Sequence, residues 1–329
     1  MTSSDSSHLN DHSLKTNFRV LYICSAARGG STVTDMFIGG HSQASSLGEI
    51  NLLGKSLSLD AECGCGSKLR SCGEWRKIFD AILSSRGLDL IQNPYGLKLW
   101  DTLAVNEIDF KQQTNIFLLG VYFRKLWMQT RSHLPLYLYN HCPIPSRLNE
   151  SIQNKMDLYE TIARCWGKKV IVDSSKNFRE AVELNRRWPN IVKLILLVRD
   201  GRGVYLSRRS SGRSQSESVS DWLNYYRRAL PLLQKKVSPQ SLLQIKYEDL
   251  ASDPEKIGRI ICDFIGIEFE SNMLDLSLAQ RHLVNSNKTK FFPERGVQLD
   301  ERWRSDLKGG ELEFFERVGG EMNIRLGYH

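Results

Sequence analysis

The sequence has no long hydrophobic segment. Its longest uninterrupted apolar run in the middle of the chain, residues 116–123, is far shorter than the roughly 20 residues that a membrane-spanning helix needs. The first 17 residues are polar and lack the apolar core of a signal peptide, so we interpret residues 1–17 as a disordered tail. These absences predict a soluble, cytoplasmic protein without a transmembrane segment.

The chain also lacks an internal repeat and a recognisable nucleic-acid-binding motif. Its 329 residues, of which 41% are hydrophobic, are enough for a large core, and we interpret residues 18–329 as a single domain. The net charge of +8 favours an anionic ligand, but the basic residues are spread through the sequence. We therefore expect no nucleic-acid partner.

Cysteine is limited to seven residues, three of which cluster as Cys63, Cys65 and Cys72. The odd number and the missing export signal favour reduced thiols, so a structural cysteine turn is the preferred interpretation. A small disulfide stays open, and so does a zinc site. The candidates for a fourth zinc ligand are Cys142, His141 and His133, none of which the sequence places nearby.

Strand and helix patterns alternate along most of the chain. Short apolar runs at residues 18–23, 169–173 and 191–198 predict buried strands, each followed by a helical pattern. Residues 41–53 are interpreted as a loop, and residues 75–167 as a helical insertion without a strand. The alternation predicts an α/β fold of three layers, in which helices flank a central parallel sheet and ligands bind at the carboxyl ends of the strands.

The segment after the first predicted strand combines glycines, hydroxyls and one cation: Arg28, Gly29, Gly30, Ser31 and Thr32. We expect both glycines to permit positive φ and close backbone approach, and the next residues to begin a helix whose free N–H groups attract an anion. The pattern differs from the nucleotide-kinase loop because Ser31 stands where that loop has lysine. A purely structural turn is an equal alternative for this segment taken alone.

A second junction of strand and helix follows Val198. Arg199 ends the strand and Ser207 lies in the early turns of the helix, so both side chains are predicted to reach one anion. The alternative is that Arg199 pairs with Asp200 or Glu180 and that Ser207 is a surface residue. Two such junctions in one parallel sheet suit a nucleotide with phosphate at two positions.

Together these residues resemble the sulfotransferase family, whose members use 3′-phosphoadenosine 5′-phosphosulfate (PAPS). Residues 28–32 resemble its 5′-phosphosulfate loop, and residues 198–202 with Ser207 resemble its 3′-phosphate motif. The cluster at residues 63–66 is similar to the bacterial branch. Gly29 in place of a hydroxyl and Ser42 in place of proline depart from the family pattern. Further matches are Gly48 with Glu49 and residues 172–176, 246–250, 299–303 and 326–328.

The resemblance implies a P-loop-like fold and assigns roles in transfer of the sulfuryl group. It implies that Glu49 is the base and that Arg28, Lys176 and the N–H groups of residues 30–32 stabilise the leaving phosphate. The alternatives are a Glu49 that pairs with Lys55, and a Lys176 that pairs with its i+4 neighbour Glu180. On this scheme the reaction needs no metal.

The resemblance also implies the contacts of the nucleotide, whose product form is adenosine 3′,5′-bisphosphate. Arg199 and Ser207 would hold the 3′-phosphate, with Tyr247 nearby. Residues 285–290 would form a late lid, and Asn287 with Lys288 are the candidates within it.

The acceptor is not identified by the sequence: a carbohydrate, a lipid or another small molecule fits, through a hydroxyl or an amine. The helical insertion would lie on the acceptor side, where the aromatic residues of positions 95–140 are interpreted mainly as helix packing. A homodimer stays open. Two other functions also stay open: a small-molecule kinase of the P-loop class, and a non-catalytic basic module that binds polyanions.

Overall fold

The computed structural model describes residues 17–99, 115–277, 282–285 and 296–329. The strands are β1 (Arg19–Cys24), β2 (Ala44–Ser46), β3 (Val170–Asp173), β4 (Val192–Val198) and β5 (Leu242–Lys246). The helices of these residues are α1 (Ser31–Gly39), α2 (Leu53–Ser58), α3 (Gly73–Arg86), α4 (Asn115–Ser132), α5 (Leu136–His141), α6 (Ser146–Trp166), α7 (Phe178–Arg187), α8 (Gly201–Arg209), α9 (Gln215–Lys236), α10 (Tyr247–Ser252), α11 (Pro254–Ile265), α12 (Trp303–Asp306) and α13 (Gly310–Arg325).

The five strands form one sheet in the order β2-β3-β1-β4-β5, and every pair is parallel. This confirms the α/β class and the parallel sheet predicted from the sequence. After β1 the chain continues to β2 at one edge of the sheet, and after β4 it continues to β5 at the opposite edge. The loops after β1 and β4 therefore diverge at neighbouring strand ends, which is where open α/β sheets bind ligands.

Alternate residues of β1 face two separate apolar layers. Val20, Tyr22 and Cys24 pack in one core, and Leu21 and Ile23 pack in the other. A strand that is buried on both faces reads as a continuous apolar run, which is why the sequence pattern identified it. The predicted three-layer arrangement follows from this double burial.

The region predicted as a helical insertion is mainly helical, and its described residues 87–99 form turns and loop. Helices α3, α4, α5 and α6 occupy it without a strand among the described residues, and residues 100–114 lie outside them. No described helix combines the length and the apolar character needed to cross a bilayer.

Part of the segment that was predicted to be a loop is a strand. Residues 41–53 are not all loop, because Ala44–Ser46 pairs with β3 as an edge strand. The sequence Ala-Ser-Ser is too short and too polar to give a strand pattern.

The aromatic residues of the insertion were expected to be mainly helix packing. Tyr139 is buried, but Tyr122, Phe123, Trp127 and Tyr137 are exposed, with Tyr137 at 71%. The helical spacing of the apolar residues predicted these helices correctly. It did not show which face of each helix is packed against other elements.

Candidate active site

The loop after β1 is shaped by Gly30, which caps the N-terminus of α1 with a φ of 91°. A Cβ at this position would lie 2.3 Å from the ring of Tyr247, so both the conformation and the space require glycine. Gly29 plays a different role from the one predicted: its φ is not positive, but a Cβ there would meet Ser25 Oγ at 2.2 Å. Arg28 takes the second positive φ of the loop, at 68°.

This loop borders a cavity of about 280 Å³ at the carboxyl end of the sheet. The cavity gathers residues from four distant parts of the sequence, and most of them were predicted site residues. Its lining consists of Ala27, Arg28, Gly30, Ser31, Thr32, Glu49, Lys176 and Asn285. The three residues predicted to perform chemistry, Arg28, Glu49 and Lys176, therefore face one space.

Three residues of this lining have a strained backbone. The described non-glycine residues with positive φ number five, and Arg28, Lys176 and Asn285 are three of them, at 68°, 66° and 45°. Such conformations are rare for side chains larger than glycine and persist where the surrounding structure imposes them. Their concentration around one cavity supports its identification as the functional site.

Glu49 and Lys176 form an ion pair inside the cavity, in which Lys176 Nζ donates to Glu49 Oε1. The two side chains are 23% and 20% exposed, so solvent reaches both. The alternative pairings with Lys55 and Glu180 are wrong in this structure. Tyr225 fixes the lysine backbone, because its hydroxyl donates to the carbonyl of Lys176 at 2.8 Å.

The backbone of Glu49 is held from two sides. Its N–H donates to the carbonyl of Val284 at 2.9 Å, and the N–H of Gly48 donates to Asp35 Oδ2 at 2.9 Å. Burial raises the pKa of Asp35 to about 7, and its Oδ1 has no hydrogen-bond partner among the described residues. Sequence reasoning missed Asp35, because on its own it reads as an ordinary helix residue.

A buried charge cluster supports the segment from Asp173 to Lys176. Lys155 Nζ lies 2.9 Å from Asp173 Oδ2 and 3.1 Å from Glu180 Oε2, and all three side chains are fully buried. Burial alone would lower the pKa of Lys155, but the two carboxylates outweigh it and raise the pKa. The hydroxyl of Tyr22 donates to Glu180 at 2.7 Å. No local sequence pattern indicates this cluster, since its members lie on different elements.

Arg199 joins the second junction to the first. Its Nη1 donates to the carbonyl of Arg28 at 3.0 Å, and its Nη2 donates to Asp300 Oδ2 at 2.9 Å. The alternative pairing of Arg199 with Asp200 or Glu180 is wrong, because Asp200 binds Arg202 instead. Arg199 Nε is buried and has no hydrogen-bond partner among the described residues. This guanidinium therefore retains capacity for an anion beside the Arg28 loop.

Of the other described residues predicted to contact the nucleotide, only Tyr247 is brought next to both junctions. The Tyr247 ring lies against Gly30 and 4.8 Å below the guanidinium of Arg199, so it connects the two junctions. Burial raises the pKa of Tyr247, which keeps its hydroxyl protonated. Ser207 is half-buried in the second turn of α8, and no described contact joins it to Arg199. Asn287 and Lys288 lie outside the described residues.

The arrangement is suited to binding an anion and moving a proton beside it. The free N–H groups at the start of α1, together with two cations, favour negative charge, and Glu49 supplies a carboxylate within the same cavity. Asn285 is a lining residue that the sequence analysis placed only at the edge of a lid.

Comparisons with known proteins identify the family of the chain. A family model described as "Sulfotransferase family" matches residues 101–271, just over half of the chain. No curated protein matches the chain significantly.

Two solved structures have a similar fold. One is the sulfotransferase domain from the Synechococcus PCC 7002 olefin synthase, with 19% identity, a TM-score of 0.50 and coverage of 94% of this chain and 96% of that one. The other is the sulfotransferase domain from the curacin biosynthetic pathway, with 17% identity, a TM-score of 0.50 and coverage of 95% and 98%. At these identities the likeness is one of fold.

Proposed function

This chain belongs to the sulfotransferase family, and we propose that it transfers a sulfuryl group from PAPS to a hydroxyl or amine of a carbohydrate, lipid or other small acceptor. The observation that carries the proposal is the single cavity in which Arg28, Glu49 and Lys176 meet the N-terminus of α1. Each of these groups matches one requirement of the reaction.

PAPS supplies a sulfuryl group whose sulfur–oxygen bond to the 5′-phosphate breaks as the acceptor oxygen or nitrogen bonds to sulfur. Glu49 accepts the proton that the acceptor loses, so that the attacking atom carries its electron pair to sulfur. Arg28 and the N–H groups of residues 30–32 bind the charge that develops on the leaving phosphate.

Lys176 serves both sides of this step. An ammonium has three donors, so one can remain on Glu49 while another binds the bridging oxygen. This contact keeps Glu49 oriented towards the point where the acceptor must enter. Lys176 has a left-handed backbone conformation, with a φ of 66°, which is rare for a lysine. This strain supports a functional role for the residue.

Arg199 is proposed to bind the 3′-phosphate, with Tyr247 against the nucleotide. The unpartnered Nε of Arg199 and its direct contact with the Arg28 backbone support a ligand that extends from one junction to the other. Ser207, Asn287 and Lys288 remain proposed contacts on the strength of the sequence motifs.

Nucleotide preference tests the donor. We expect adenosine 3′,5′-bisphosphate to raise the melting temperature and to bind more tightly than ATP with Mg²⁺ by calorimetry, since only the former offers a 3′-phosphate to Arg199. Arg199→Ala should lose this binding, whereas Arg259→Ala, on the exposed pair with Glu255, should keep it. Preference for ATP with Mg²⁺ would contradict the donor and favour the kinase alternative.

Turnover tests the base. With labelled PAPS and a panel of sugars, lipids and phenols, Glu49→Gln should lose turnover by a factor of at least about 100 while keeping nucleotide affinity. The matched control is Glu255→Gln, which removes a carboxylate from an exposed ion pair on α11. Normal turnover in Glu49→Gln would show that another group takes the proton.

A further inference from the structure

Three cysteines and one histidine converge outside the cavity. Cys63, Cys65 and Cys72 lie in the connection between α2 and α3, and His282 comes from a segment far along the chain. One ligand atom of each residue lies within 4.8 Å of the corresponding atoms of all the others. The fourth residue is therefore His282 and none of the three candidates named from the sequence.

Three separations within this cluster match those of a tetrahedral metal site. Cys65 Sγ lies 3.7 Å from Cys72 Sγ, and His282 Nδ1 lies 3.4 Å from Cys72 Sγ and 3.8 Å from Cys63 Sγ. Tetrahedral zinc, with Zn–S of about 2.3 Å and Zn–N of about 2.0 Å, separates two sulfurs by roughly 3.8 Å and a sulfur and a nitrogen by roughly 3.5 Å. The same distance between Cys65 and Cys72 is far longer than the ~2.05 Å of a disulfide bond.

We propose that Cys63, Cys65, Cys72 and His282 bind one structural Zn²⁺. Three thiolates and one imidazole form a donor set typical of zinc, and hard cations such as Mg²⁺ prefer oxygen ligands. Four protein ligands complete a tetrahedron and leave no open position for a substrate. The assignment is thus independent of the proposed sulfuryl transfer, which uses residues of the cavity.

The local backbone is organised for this purpose. The N–H of Gly66 donates to the carbonyl of Cys63 at 2.9 Å, and Gly66 has a φ of 88° with nothing near its missing Cβ. This turn brings Cys63 and Cys65 to one side. Cys72 directly precedes α3, so the start of this helix fixes its position.

The zinc would join two segments that are tied to the active site. The N–H of Gly64 donates to the carbonyl of Leu283 at 3.2 Å, and Trp75 Nε1 donates to the carbonyl of His282 at 2.9 Å. Two residues further, Val284 accepts from the N–H of Glu49. Metal at this site would therefore fix the backbone that positions Glu49 and, next to it, Asn285 in the cavity.

Metal content tests the proposal directly. The full chain, purified without chelators or metal-affinity resin, should contain about one zinc ion per molecule, as measured by inductively coupled plasma mass spectrometry. Cys65→Ser and His282→Gln should lose most of it, whereas Cys142→Ser should keep it, since Cys142 lies outside the cluster. A folded wild-type chain that holds no zinc, even after incubation with Zn²⁺ under reducing conditions, would overturn the assignment.

Replacement by Co²⁺ tests the geometry without reference to activity. Cobalt bound to the metal-free chain should give the strong visible absorption of a tetrahedral site together with sulfur-to-cobalt charge-transfer bands. Weak absorption of an octahedral complex, or a Cys65–Cys72 disulfide in the purified chain, would contradict a zinc site. If a variant fails to fold, the wild-type zinc content and cobalt spectrum still decide the question.

Discussion

The carboxylate of Asp300 lies on the guanidinium that we assign to the 3′-phosphate. The hydrogen bond from Arg302, with the charge of Arg199, lowers the pKa of Asp300 to about 2, so this residue is negatively charged at neutral pH. A phosphate and this carboxylate would compete for the same Nη2 of Arg199. If Arg199 binds the 3′-phosphate as proposed, Asp300 sets part of the affinity for the nucleotide.

We predict that Asp300→Asn binds adenosine 3′,5′-bisphosphate roughly fivefold more tightly, because a partly exposed ion pair contributes up to about 1 kcal/mol. Isothermal titration calorimetry measures the change. Glu301→Gln is the control, since Glu301 pairs with Arg304 on the surface of the same segment. Weaker binding in Asp300→Asn would mean that Asp300 orients Arg199 and does not compete with the ligand.

Asp35 predicts a pH dependence of stability. Its pKa is 3.8 in the unfolded chain and about 7 in the folded one, where burial is the main cause and the nearby Asp173 adds to it. From pH 4 to 7 the unfolded chain releases a proton that the folded chain keeps. Unfolding is therefore favoured as the pH rises through this range, and the effect is complete above it.

The test compares denaturant unfolding of the wild type and Asp35→Asn at several pH values. The wild type should lose stability relative to the variant between pH 4 and 7, by about 1.4 kcal/mol for each pH unit at the steepest point. An equal difference at every pH would show that Asp35 is ionised in the folded chain. Ser174, whose hydroxyl donates to Asp35 Oδ2 at 2.7 Å, can hydrogen-bond to both the protonated and the ionised carboxyl group.

Individual residues were predictable from sequence where their chemistry is tied to a local pattern. Arg28 stands in a glycine turn before a helix, and Glu49 was named through the family resemblance of its Gly-Glu pair. Asp35, Lys155 and Asp300 could not, because their importance comes from partners on other elements. No short window of sequence contains that information.

At the level of elements, the unit of β1, its loop and α1 depends on Gly30. We predict that Gly30→Ala lowers stability and abolishes nucleotide binding, because the new Cβ would clash with Tyr247 as well as adopt a φ of 91°. Gly87→Ala is the matched control: its φ is 66° and nothing lies within 4 Å of its missing Cβ.

The control variant should lose only the conformational term, roughly 1–2 kcal/mol, and should bind the nucleotide normally. Thermal unfolding and calorimetry with adenosine 3′,5′-bisphosphate measure both effects. If Gly30→Ala loses no more stability than Gly87→Ala and still binds, then the close packing of Tyr247 on this loop is not required.

The buried strands were predictable, and the edge strand β2 was not. The residues that form β4 are apolar at six of seven positions because both faces of the strand are buried, and such a run is recognised easily in a sequence. The strand order is set by long-range pairing, so the position of β2 beside β3 had no local signal. The type of each main element and the three layers could thus be predicted from the sequence, whereas the order of the strands in the sheet could not.

For the whole molecule, the helical segment and the sheet share buried contacts. Lys155 on α6 binds Asp173 on β3 and Glu180 on α7, and Arg131 on α4 binds the buried Glu183 on α7. One apolar core also includes residues of α3, α6 and the sheet. On the basis of these links we propose that the described residues fold as a single domain.

We predict that Lys155→Met shifts one common unfolding transition and does not release the helical segment separately. The variant leaves two buried carboxylates without their cation, which should cost about 3–5 kcal/mol. Lys98→Met, which breaks a half-exposed pair with Glu150, should cost about 0–1 kcal/mol. Circular dichroism and tryptophan fluorescence should give coincident denaturation curves in both variants, because the cluster lies between the two parts. Two separated transitions in Lys155→Met would show that helices α4 to α6 fold as a unit of their own.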